Sequence, residues 1–160
     1  MHKSKKKTLV QGLFNSVLTY CLPLFGGCSK MDINRLQFQQ NKAARVVLNY
    51  PSWSCRETMF NEIQWLSVRQ LIVYHTLMTV YNIRKDKSPE ILAKKLLREN
   101  HNGHIIVPNV QLSLYRSSFS FRGAILWNRL PREIRDENSK QIFKSQLRCW
   151  IVKNTQRFDD

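Results

Sequence analysis

The sequence predicts an all-α fold of two small helical subdomains joined by an irregular connection. Three observations carry that prediction. Apolar residues recur at three- and four-residue spacing through the stretches before 99 and after 116, and serine-led capping patterns stand at the heads of several of those stretches. Between 99 and 116 the periodicity vanishes, leaving room for a short β hairpin and no more. A chain of 160 residues can bury a moderate core, and a hydrophobic fraction of 42% with eight Phe, five Tyr and four Trp excludes a generically disordered chain.

From Thr8 to Leu24, Leu9, Val10, Leu13, Phe14, Val17 and Cys21 share one helical face, and Pro23 with Gly26-Gly27 ends the helix. A second helix runs from Lys30 to Leu48, with Ser29 and Asp32 in capping-box spacing and Ile33, Leu36, Gln40, Ala43, Ala44 and Val47 on one side. Gln40 falls inside that stripe and needs a buried hydrogen-bond partner if the helix docks there. Asn49-Tyr50-Pro51 stops the helix. Two further capping boxes, Ser54-x-x-Glu57 and Ser67-x-x-Gln70, start a short helix near Met59 and a long one through Leu71, Tyr74, His75, Met78 and Tyr81, with His75 partly buried. Ser88-Pro89-Glu90 starts a fifth, with Pro at the first helical position.

These helices make a first region, 8–98, followed by a connection, 99–116, punctuated by Asn100, Asn102, Gly103 and Pro108. Ile105-Ile106-Val107 and the alternation of Leu112 and Leu114 allow at most short strands there. The second region, 117–154, begins with a helix from Phe121 to Leu130, capped by Ser120 and stopped at Pro131. Ser139 caps a last helix carrying Phe143, Leu147, Trp150 and Ile151, and Trp127, Pro131 and Trp150 are expected in the core.

The charge balance is lopsided: 26 Lys and Arg against 11 Asp and Glu give +15. Residues 1–7 hold four Lys and no acid, and residues 116–157 hold ten basic residues against Glu133, Asp136 and Glu137. Such a field favours a polyanion, nucleic acid or anionic lipid, before any specific contact forms. Lys3 to Lys7 and the apolar run up to Phe25 imitate a secretory leader, but Gln11, Asn15, Ser16 and Pro23 interrupt it and it is shorter than the roughly 20 apolar residues of a span. No membrane partner is expected. The widely spaced Cys21, Cys28, Cys55 and Cys149 contain no CxxC pair, and His101-x-x-His104 lacks further ligands, so no metal site is expected. Cys21 and Cys149 are read as small apolar side chains of a reduced, intracellular protein, in nucleus or cytoplasm.

Two groups of residues suit nucleic acid. On the second helix Arg35, Lys42 and Arg45 project opposite the apolar stripe with Phe38 among them, a combination fit for phosphate neutralisation and base stacking. The alternative is that Phe38 packs on a neighbouring helix and the charges are merely solvated. In the last helix Lys140, Lys144 and Arg148 fall at i, i+4 and i+8, beside Phe143, Leu147 and Ile151, and Arg129, Arg132 and Arg135 recur every third residue around the preceding turn. These six form either one continuous positive surface or a set of separately solvated charges.

Three stretches carry a resemblance. Leu18-Thr19-Tyr20-Cys21-Leu22-Pro23-Leu24-Phe25-Gly26, then Leu36-Gln37-Phe38-Gln39-Gln40-Asn41-Lys42-Ala43-Ala44-Arg45, then Phe121 to Pro131 with Ile134-Arg135 and Phe143-Lys144-Ser145-Gln146-Leu147, stand in that order over residues 8–153. Together they resemble the region that follows the polymerase domain in the reverse transcriptases of LINE-type, jockey-like non-LTR retrotransposons. Cys21 replaces the family's usual Gly, and Phe25 its usual Trp. The resemblance implies a thumb-like region over 8–98 and a C-terminal helical region over 117–154 of an RNA-directed DNA polymerase. Its expected partners are template RNA, target DNA or their hybrid, together with an upstream polymerase domain.

It also implies what is missing. The catalytic core of that family clamps Mg2+ with an Asp-Asp hairpin and a third Asp, and this chain has no such hairpin. Phe158-Asp159-Asp160 lies at a chain end without flanking apolar strands and reads as a polar tail. The chain is therefore expected to be no enzyme on its own and to need no cofactor. The rival reading is a helical protein-interaction module that docks a polymerase domain or another chain without touching nucleic acid.

Overall fold

The computed structural model describes residues 3–96, 98–100, 103–107, 109 and 111–154, and every regular element among them is a helix. The all-α fold stands as the periodicity predicts. Of the expected hairpin, the described residues hold a single antiparallel bridge between Glu99 and Ile105.

Helix α1, Lys3–Val10, passes through a π-helical turn, Gln11–Asn15, into α2, Ser16–Thr19. Contact with the rest of the chain comes from half-buried Val10 and Phe14 and buried Leu18, an i, i+4, i+8 series, while Leu9, Leu13 and Val17 are 52%, 67% and 75% exposed. The π turn sets the register, because each of its turns takes an extra residue and moves the i+4 positions inward at the expense of i+3. The expected face is corrected accordingly, and Cys21, with a left-handed φ of 52°, lies exposed outside it. A 3-10 helix, Leu22–Gly27, follows and buries Leu22 completely.

Helix α3 spans Lys30–Leu48, with Ser29 Oγ accepting the Asp32 N–H at 3.2 Å and Asn49 closing it at φ 55°. In α4, Arg56–Ile63, Cys55 holds the capping position without a side-chain bond, so the expected Ser54 cap is displaced by one residue. Ser54 is used in a turn instead, its N–H donating to the Pro51 carbonyl. Helix α5, Val68–Asp86, begins with the complete Ser67–Gln70 capping box. Before α6, Glu90–Leu96, Pro89 sits one place earlier than expected, its carbonyl accepting the Leu92 and Ala93 N–H groups.

Where strand alternation was allowed, Ser113–Arg116 forms a helical turn, α7, which leaves Leu112 and Leu114 exposed. Helix α8, Phe119–Asn128, is capped by Ser118 rather than Ser120, and the earlier start lets Phe119 pack against the core. Pro131 is exposed, not core; its carbonyl instead accepts the Ile134 and Arg135 N–H groups of α9, Arg132–Arg135. Helix α10, Lys140–Lys153, follows Ser139, whose hydroxyl makes no capping bond.

Helix α5 is the common wall. Its Val68 and Ile72 pack with Leu18, Leu22 and Ile33, while Leu77, Val80 and Tyr81 join Trp127, Phe143, Leu147 and Ile151. Tyr81 stacks on Phe143 at 4.2 Å between ring centroids, and Trp127 lies 6.0 Å from the same ring. The helices after 117 thus close their core on α5. Trp150 packs at its edge, half-buried. Asn128 fastens the connection to α8 by bonding both the N–H and the carbonyl of Ile105, at 2.9 and 2.8 Å.

Candidate nucleic-acid interface

On α3 the apolar side faces inward and presents the opposite side to solvent. Phe38 is 54% exposed, which sets aside the alternative of a ring packed on a neighbouring helix. Lys42, one turn on, holds its Nζ 4.6 Å from the ring centroid, a cation–π pair made by i, i+4 spacing. Arg35 lies beside them in an exposed ion pair with Asp32 at 3.5 Å, and Met31, Asn34, Arg35, Phe38 and Gln39 line a shallow apolar depression. Arg45 departs from this group: it is half-buried and its Nε meets no acceptor.

The C-terminal residues do not all share one environment. Lys140 and Lys144 are exposed on α10. Arg148 reaches across to donate to the Gln64 carbonyl at the end of α4, so it ties two helices together. Arg132 is exposed and paired with Asp136 at 3.2 Å. Arg135 turns inward, donating from Nη1 to the Gly103 carbonyl at 3.4 Å, with its Nε buried and unpartnered. Arg129, Arg135 and Arg148 open on three different cavities.

Arg129 shares its cavity with Lys30, Arg69, Arg116 and Arg122, four cations that sequence spacing does not connect. They come from α3, α5, the end of α7 and α8, and only the tertiary fold brings them together. Burial pushes the Arg122 guanidinium below its ordinary pKa, a direction that marks desolvation of a cation.

Elsewhere the side chains carry less chemistry. The four cysteines are free and exposed, so Cys21 and Cys149 are not the buried small residues expected. His75 is half-buried edge-on to Tyr74 at 5.4 Å, and burial lowers its pKa. His101 and the Phe158-Asp159-Asp160 tail lie outside the described residues. Among the described residues no helix is long and apolar enough to cross a membrane. No protein-family model, curated protein or solved structure matches the chain.

Proposed function

We propose that this chain is the C-terminal, post-polymerase region of a jockey-like non-LTR reverse transcriptase, and that its own capacity is to bind nucleic acid without catalysis. Template RNA and target DNA are its partners, in nucleus or cytoplasm. The observation that carries the binding reading is the Phe38–Lys42 pair, an exposed ring under an ammonium on a chain of net charge +15. The ring offers a stacking platform for a base, and Lys42 with Arg35 offers charge to the adjacent phosphates. Polymerisation is assigned to a domain that supplies the Mg2+-binding carboxylates. Incorporation on a primed RNA template with magnesium by this chain alone would overturn the non-catalytic part.

The test is affinity for a random single-stranded RNA, read by fluorescence anisotropy at several salt concentrations. Log affinity is expected to fall linearly with log salt, with a slope of about −0.7 per phosphate contact. Phe38→Ala should weaken binding by about 5- to 150-fold, the range for loss of one stacked base. Absence of binding at low salt would sink the reading. A second reading, the protein-docking module, is favoured by the exposed Leu9, Leu13, Val17, Tyr20 and Leu24 along the first helical stretch. Salt-insensitive association with a polymerase domain, without RNA binding, would select it.

A further inference from the structure

The cavity around Arg122 is built from three separate stretches of the chain. Gly26 and Gly27 close the 3-10 segment directly against α8. A Cβ on Gly26 would fall 1.5 Å from Arg122 Nη1 and 2.4 Å from Cζ, so the guanidinium lies on bare backbone. A Cβ on Gly27 would come within 2.9 Å of the Ser117 carbonyl oxygen. Any larger residue at 26 would displace the arginine, and one at 27 would push apart two backbone segments.

Several cations elsewhere on the molecule are neutralised by an acid. Arg35, Arg56, Arg84 and Arg132 each pair with a carboxylate. Lys30, Arg69, Arg122 and Arg129 pair with none among the described residues, and no carboxylate lines the cavity. Cations gathered in a concave, partly desolvated place repel one another, and an anion seated among them relieves both the repulsion and the lost hydration. Desolvation already lowers the Arg122 pKa, yet an arginine starting so far above neutrality stays charged.

The floor narrows the choice of anion. Ile33, Phe121 and Ile125 are among the apolar side chains of its lining, which a bare inorganic ion does not use but a flat ring does. Its volume, about 520 Å3, lies within the range of small-molecule sites, about 300–1,000 Å3. A duplex presents its phosphates on the outside of a rod with its bases stacked inside, so it cannot put a base on such a floor. An unstacked nucleotide of a single strand can do both.

We propose that this cavity seats one nucleotide of a single-stranded nucleic acid, its phosphate held by Arg122 and Arg69 with Lys30 and Arg129 at the rim, and its base against Phe121 and Ile125. The inference rests on the nucleic-acid reading and adds to Phe38 on α3 a second, concave place for an unstacked nucleotide.

The experiment measures affinity for a random single-stranded RNA and for a random duplex DNA across a salt series. It uses the parent, Arg69→Gln with Arg122→Gln, and Lys30→Gln with Arg129→Gln. In either double variant the single-strand slope should become shallower by about 1.4, two contacts at about 0.7 each, while the duplex slope stays within error of the parent. A mononucleotide should compete with the single strand on the parent and not on the Arg69→Gln, Arg122→Gln variant. If that variant loses its thermal transition, the exposed Lys30 and Arg129 pair decides. Equal losses on single strand and duplex would make the cavity part of a general basic surface and overturn the seat. Unchanged slopes with RNA binding intact would overturn it too, as would loss of binding to anionic phospholipid vesicles while RNA binding is kept. Failure of the parent to bind any nucleic acid would instead bring down the broader reading.

Discussion

Replacing Gln40 by Met tests how the polar groups inside the α3–α5 junction hold the fold. Gln40 is 1% exposed, and its Nε2 donates to the Leu66 carbonyl at 2.9 Å. Its Oε1 accepts from Gln37 Nε2 at 3.0 Å, and Gln37 Oε1 in turn accepts the Val68 N–H at 2.9 Å. Two glutamines one turn apart thereby serve both backbone groups flanking Ser67, at the entry to α5. Gln40→Met keeps the shape and removes the amide. Gln37 Nε2 still has Asn41 Oδ1 at 2.9 Å, so the group left unpaired is the Leu66 carbonyl. An unsatisfied buried carbonyl costs about 1–3 kcal/mol, and burial of the methionine thioether offsets part of that. At about 2–4 °C per kcal/mol for a chain of this size, Tm should fall by about 2–12 °C. Urea unfolding followed by circular dichroism gives the free energy, and a Gln37→Leu, Gln40→Met double variant should show a coupling of about 0.5–3 kcal/mol. A Gln40→Met protein with the parent's urea midpoint would refute the account.

Three further outcomes are expected. Trp127→Ala should lose about 3–5 kcal/mol in urea unfolding, whereas Trp127→Phe should lose much less, because the buried Nε1 has no acceptor to give up. Equal losses would contradict the packing argument. Leu13→Ser with Val17→Ser should change stability by no more than about 0.5 kcal/mol each while reducing self-association in light scattering, since both side chains face solvent. His75 titrates below its ordinary value through burial, so the unfolded chain binds the extra proton first. Its contribution is therefore complete above the unfolded pKa of about 6.5 and is lost as pH falls toward the lower folded value. The urea midpoint should drop as pH falls through and below about 6.5, and His75→Gln should flatten that drop.

Local chemistry was readable in the places where one short stretch contained all the partners and they bonded as the pattern suggests. Ser29 with Asp32 and Asn49 bounds α3, and Ser67 with Gln70 starts α5, because each signal acts within one helical turn. The Phe38–Lys42 pair was readable for the same reason. The start of α8 was not: Ser118 and Ser120 are both competent caps, and packing of Phe119 chooses between them. The face of α1 and α2 was hidden by a π turn, whose register no 3.6-residue pattern announces. The Arg122 cavity was hidden more deeply. Gly26, in the first resembling stretch, and Arg122, in the third, look unrelated until α5 and α8 bring them into contact.

Because α5 is packed by the 3-10 segment and by α3, α6, α8 and α10, no one of those elements can peel away without baring a strip of it. Its central amides are thus covered by several elements at once. In deuterated buffer they should exchange only when the whole chain opens, and their rate should report global stability directly. The amides of α1, held on one flank by Val10 and by Lys6 bonded to Asn49, should exchange through cheap local fraying. One molecule then carries two clocks, the slow one at its centre and the fast one at its amino-terminal helix.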